Sequence, residues 1–104
     1  MLIFKWMSNK VLKEYRNEIL TLWNVKTLER SDISAYLIYG KFLNFLEQED
    51  FAGARLAKQF LRMGKVSCRE WKDNGFKKYY SFASSNEDYL ALKKGFFKHC
   101  KQPQ

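Results

Sequence analysis

Apolar positions return at helical spacing along most of this chain. Val11, Leu12, Tyr15, Ile19, Leu22 and Trp23 recur every three or four residues and form one apolar face over residues 8–23. Ser8 or Asn9 is placed to cap that helix. After the connector NVKTLER, Thr27 or Ser31 can start the next element. The segment SDISAYLIYGKFLNFLEQED (31–50) spreads Ile33, Tyr36, Leu37, Tyr39, Phe42, Leu43 and Leu46 over a broad face, which predicts a helix lying centrally and touched on several sides. Gly40, in its middle, costs about 1 kcal/mol relative to alanine; close approach of another helix would account for it. A third helix is predicted over DFAGARLAKQFLRMG (50–64), with Asp50 as its cap, Leu56, Phe60 and Met63 on its inner face, and Gly64 as a C-terminal stop. The small residues Ala52, Gly53, Ala54 and Ala57 permit close packing near its start.

The pattern weakens over KVSCREWKDNGFKKYYSF (65–82). Cys68 and Trp71 could continue a helical turn or open a short helix, DNG signals a turn, and FKKYYSF is compatible with an extended or a helical segment. SSNEDYLALKKGFFKHCKQPQ (84–104) carries a capping box, Ser85 with Asp88, and places Tyr89, Leu92, Phe96 and Cys100 along one face. At the other end, LIFKWM mixes alternating and adjacent apolar residues, and a lone strand has no partner, so residues 1–7 read as an extended arm packed on helices. The last residues, 101–104 with Pro103, read as a frayed tail. The expectation is an all-α, compact single domain spanning 1–104, built of four to five short helices with a short extended N-terminal arm.

Composition supports that picture and adds a bias. A share of 46% apolar and 17% aromatic residues is enough for a core in a chain of 104 and argues against disorder. The net charge is +8, and it is uneven: residues 1–54 hold seven Lys/Arg and seven Asp/Glu, residues 55–104 hold twelve and four. Asymmetry of this kind points to a polyanionic partner, although basic domains without one are common. No stretch approaches the roughly 18 apolar residues of a membrane span, and the N-terminal run is too short for a secretory signal. Two cysteines, Cys68 and Cys100, make no disulfide framework and fit a reducing compartment. Together these features predict a soluble, cytoplasmic protein that does not engage a membrane.

Catalytic chemistry has little to stand on. Ser67, Cys68 and His99 lie in no recognised nucleophile setting, and a Cys68–His99 pair in space is less favoured than structural roles for both. Glu47, Glu49 and Asp50 sit between two predicted helices, where capping and the helix dipole explain them. A phosphate-binding glycine loop and a zinc spacing are both missing. No cofactor and no enzymatic activity are expected.

The basic series is the more informative feature. Arg55, Lys58, Arg62, Lys65, Arg69 and Lys72 step by three and four, followed by Lys77 and Lys78, with Glu70 and Asp73 as the acidic residues of the run. On an uninterrupted helix the first six would share an arc of about 100°, away from Leu56, Phe60 and Met63. A stop at Gly64 guarantees alignment for Arg55, Lys58 and Arg62 alone. Aromatic residues interleave with these charges. Trp71 or Tyr79 could stack bases while the cations hold phosphates, although each is more often core, and DNGFKKYY could present Lys77, Lys78 and one tyrosine on a surface loop.

Three stretches carry a resemblance: EYRNEILTLWNVKT, SAYLIYGKFLNFLEQEDFAGARLAKQFLRMG and the following REW…KKYY, together about residues 14–80. They resemble an uncharacterised domain-of-unknown-function family of small bacterial and phage proteins. The most specific elements are EIL with Trp23, EQEDFAG, and the A-K-x-F-L-x-M-G motif at Ala57 to Gly64, followed by a basic and aromatic segment. Arg69, Trp71, Lys77, Lys78 and Tyr80 keep parts of the pattern that follows the motif. Lys65, Ser67 and Glu70 depart from it, and Gly75 stands where the pattern has a double glycine. The resemblance implies a fold neighbourhood and a basic segment as a family feature, but no activity. A phage setting would suit a short protein that disables or redirects a host machine.

The expected function is therefore a non-enzymatic one: binding of a polyanion, most readily nucleic acid, through Arg55, Lys58, Arg62, Lys65, Arg69, Lys72, Lys77 and Lys78. The alternative is a phage-type interaction module or inhibitor that docks on an acidic surface of a host protein or nucleoprotein machine. An enzyme acting on a phosphorylated substrate would rest on the same charge alone.

Overall fold

The helical periodicities become five α-helices in a computed structural model that describes residues 9–100, with side chains within 10–96. They are α1 (Asn9–Leu20), α2 (Leu28–Glu47), α3 (Phe51–Ser67), α4 (Gly75–Ser85) and α5 (Glu87–Cys100). Helices and their connectors account for all described residues, which makes the fold all-α; the expected arm and tail lie outside the described residues.

The core is organised around α3, which touches every other helix. Its inner face is built from Gly53, Ala54, Leu56, Ala57, Phe60, Leu61 and Gly64. Small residues on that face let neighbouring helices approach closely. A Cβ at Gly53 would collide with the Phe45 ring, and one at Gly64 with the Phe76 ring. This revises two sequence expectations. Gly64 does not end the helix, which continues to Ser67, and Met63 is 50% exposed rather than inward.

The broad face expected of α2 divides differently. Its buried positions are Ser31, Ser34, Ala35, Ile38, Phe42 and Phe45, again at three and four, while Ile33, Tyr36, Leu37 and Leu43 are exposed. Ser31, Ser34 and Ala35 face the core in the first half of α2, while Ile38, Phe42 and Phe45 fill it in the second half, and Ile33, Tyr36, Leu37 and Leu43 are left outside this face. A Cβ at Gly40 would meet nothing within 4 Å, so no helix among the described residues packs against it. Ser34 is satisfied in place: its Oγ donates to the Leu22 carbonyl at 2.5 Å and accepts from the Asn24 amide at 3.1 Å. These bonds fix the turn after Leu20, three residues before the end that the apolar periodicity predicts for α1. Thr27 caps α2, accepting from the Arg30 amide.

Asp50 links two elements. Its Oδ1 accepts from the Gly53 amide at 3.0 Å as the α3 N-cap, and its Oδ2 accepts from the Tyr15 hydroxyl at 2.5 Å, tying α1 to α3. Burial, with help from the Asp50 hydrogen bond and charge, pushes the Tyr15 phenol from 10.0 up to about 12. A pKa raised by folding favours the protonated form in the native state. The resulting stability is present below pH 10 and is lost as pH rises towards 12. With partial solvent exposure discounted, the loss is on the order of 1–2 kcal/mol. Tyr15→Phe is expected to be less stable than wild type at pH 8 by about 1 kcal/mol and to show a flatter decline between pH 10 and 12. Parallel alkaline limbs in urea titrations of the two proteins would contradict this.

Candidate polyanion interface

Because α3 runs unbroken through Gly64, Arg55, Lys58, Arg62 and Lys65 stand on a single helix and share its outer side. Arg55, Arg62 and Lys65 are exposed and Lys58 is half-buried. No carboxylate among the described residues lies within ion-pair distance of these four cations. Aromatic rings position two of them instead. The Lys58 Nζ sits 5.4 Å from the Tyr80 ring centroid and 5.1 Å from that of Tyr89, and the Lys65 Nζ sits 5.2 Å from Tyr80. Tyr80, on α4, thus joins cations from both sides of Gly64.

A pocket of about 250 Å³ opens between α3, α4 and α5, lined by Phe51, Arg55, Lys58, Gln59, Arg62, Tyr80, Tyr89 and Lys93. Tyr89 forms its inner wall: it is buried, its ring stacks on Phe51 at 5.6 Å, and burial raises its phenol pKa against an opposing effect of the Arg55 charge. Sequence reasoning passed over Lys93, Tyr80 and Tyr89 as site residues. A signal was present, since Lys93 falls four residues after the inward-facing Tyr89 and so shares its side of α5.

The remaining predicted cations are arranged differently. Arg69 and Lys72 are exposed on the turn that joins α3 to α4, where the Arg69 Nη1 donates to the Val66 carbonyl at 3.1 Å. Trp71 is half-buried against the core. Asn74 organises this turn: its Nδ2 donates to the Cys68 and Trp71 carbonyls at 3.1 and 2.8 Å, and its Oδ1 accepts from the Lys77 amide at 2.8 Å as the α4 N-cap. FKKYYSF is therefore helical, not a surface loop. Lys77 and Lys78 line a separate hollow, together with Asp32 and Asp73. The Asp32 Oδ1 accepts from the Gly75 amide at 2.6 Å.

Whereas Tyr80 faces α3, Tyr79 faces α2. It stacks on Tyr39, with centroids 5.0 Å apart, and meets Tyr36 and Phe82 edge-on. Phe82, beside it on α4, is 47% exposed. The α5 cap also differs from the predicted box. Asn86 accepts from the Tyr89 amide at 2.8 Å, while the Ser85 Oγ donates back to the Ser81 carbonyl at 3.0 Å.

Cys68 is fully buried, and burial pushes its thiol pKa up, which suits a structural residue better than a nucleophile. The side chain of His99 lies outside the described residues. Among the described residues there is no cluster of His, Cys, Asp or Glu able to hold a metal, and no helix long and apolar enough to cross a membrane.

A family model described as "Domain of unknown function (DUF4385)" matches residues 9–98. The chain belongs to that family, and the matched region takes in all of α1 to α4 and nearly all of α5. No curated protein and no solved structure gives a significant match.

Proposed function

We propose that this member of the DUF4385 family is a non-enzymatic binding protein whose ligand is a polyanion, most readily a nucleic acid. The observation that carries the reading is the continuity of α3, which places Arg55, Lys58, Arg62 and Lys65 along one side of a rigid helix without acidic counter-ions among the described residues. The Lys58 and Lys65 ammoniums lie over the Tyr80 ring with no described carboxylate within ion-pair distance, so their field remains available to phosphates. Arg69 and Lys72, on the adjoining turn, extend the positive surface. Affinity is then governed by counterion release.

Fluorescence anisotropy with labelled single-stranded DNA, single-stranded RNA and duplex DNA tests this. The expected result is micromolar binding near 50 mM salt, with log affinity falling against log salt at a slope of about three for four phosphate contacts. Labelled strands that stay unbound at low salt and tens of micromolar protein would reject the proposal.

A second reading follows from a different surface. Tyr36, Leu37 and Leu43 of α2 are exposed around a hollow at Gly40, on a flank built by the Tyr39–Tyr79 stack, and the exposed Phe82 of α4 meets both of those rings. Exposed apolar groups in such proximity favour a protein partner. Under this reading the chain is an interaction module acting on a host protein or nucleoprotein machine.

A further inference from the structure

The pocket between α3, α4 and α5 is more elaborate than phosphodiester binding along an open helix face requires. A phosphodiester presents one charge and is accessible along a strand. A phosphate monoester carries nearly two charges and projects from whatever bears it. The pocket suits the second kind of group. Arg55 and Arg62 lie on either side of Lys58 along α3, and Lys93 closes the set from α5, so cations converge from two helices on one concavity. Its lining holds no carboxylate among the described residues. Lys58 is half-buried between the Tyr80 and Tyr89 rings, so its ammonium is positioned before any ligand arrives, and it has no ion pair among the described residues. Arginine forks beside a fixed ammonium are a donor set matched to phosphate oxygens.

We infer that this pocket is a phosphate-monoester site, which takes the terminal phosphate of a nucleic-acid strand or the phosphate of a free nucleotide. The strand-borne case rests on the nucleic-acid reading above; the nucleotide case does not. Lys58 and the two arginines hold the phosphoryl oxygens and more than balance their charge, with Lys93 lining the α5 side of the pocket. Tyr80 forms the pocket's outer wall.

The test compares oligonucleotides of one sequence carrying a 5′-phosphate, a 3′-phosphate or hydroxyl ends, by anisotropy at fixed salt. A parallel arm titrates adenosine monophosphate and inorganic phosphate, followed by amide shifts of α3 and α5. The expected result is affinity about tenfold higher for a phosphorylated end than for hydroxyl ends, the gain of one or two charge-assisted contacts. In Arg62→Gln and separately in Lys58→Gln, the ratio of the two affinities should fall towards one, a readout that a general loss of charge or stability would not move. Binding of adenosine monophosphate or phosphate in the pocket, without oligonucleotide binding, would support the site and assign it to free nucleotides. Equal affinity for all three ends, with no amide shifts on adding nucleotide or phosphate, would overturn the inference. If salt-dependent binding persisted in that case, the outer-face reading of α3 would survive.

Discussion

Gly64→Ala is expected to lower stability by about 2–3 kcal/mol, although alanine is the better helix former by about 1 kcal/mol. Gly64 is buried in the interior of α3, and the Phe76 ring occupies the space that a Cβ would need. Phe76 cannot yield cheaply, because it is itself fully buried and meets Trp23 at 5.4 Å on its other side. The added methyl must therefore push α4 away from α3 or force the ring off its rotamer. For a chain of this size the loss corresponds to a fall in melting temperature of about 10 °C or more. Gly40→Ala provides the opposite outcome from the same chemistry. Gly40 also lies within a helix, but open space surrounds it, so the substitution should stabilise by about 0.5–1 kcal/mol. Thermal unfolding of the two variants decides the matter. Equal shifts of the same sign would mean that Phe76 does not sit against Gly64. Gly64→Ala should also weaken polyanion binding beyond its effect on stability, since displacing α4 moves Tyr80 away from Lys58 and Lys65.

The same two glycines show what the sequence could and could not convey. Local rules read Gly64 as a stop, because glycine after an apolar run commonly ends a helix, and read Gly40 as a point of close approach. The structure reverses both readings. The reason is non-local: whether a glycine terminates a helix or admits a neighbour depends on the ring that arrives from another element, here Phe76, twelve residues further on. Four helices, α1, α2, α3 and α5, were legible because their runs carry their own periodicity, whereas α4 was left open between extended and helical; the Asp50 cap was legible because it is local. The inner face of α2 was only partly legible, because Ser31, Ser34 and Ala35 share it with Ile38, Phe42 and Phe45 while Tyr36, Leu37 and Leu43 are turned out, a choice made by the packing of α3 and α4. The site divides along the same line. The arc of Arg55, Lys58, Arg62 and Lys65 follows from spacing once the helix is known to continue, whereas Lys93, Tyr80 and Tyr89 join it only by folding.

Reversing charge on the outer face of α3 should have the largest effect on binding. In Arg55→Glu/Arg62→Glu, two exposed cations without internal carboxylate partners among the described residues become two anions beside the remaining lysines. Affinity for single-stranded nucleic acid at about 50 mM salt should fall roughly a hundredfold or more, and the slope of log affinity against log salt should decrease by about 1.5. Stability should change by no more than about 0.5 kcal/mol, because neither side chain supports the core. Lys77→Gln/Lys78→Gln provides the comparison that matters. Those lysines share their hollow with Asp32 and Asp73, which already offset part of their field, so their loss should reduce affinity by only about threefold to tenfold. A purely additive count of charge along the chain treats all eight cations as equivalent, whereas the fold ranks them by what faces them. If the α4 pair proved as damaging as the α3 pair, binding would follow net charge rather than the face of α3, and the α3 interface would have to be given up.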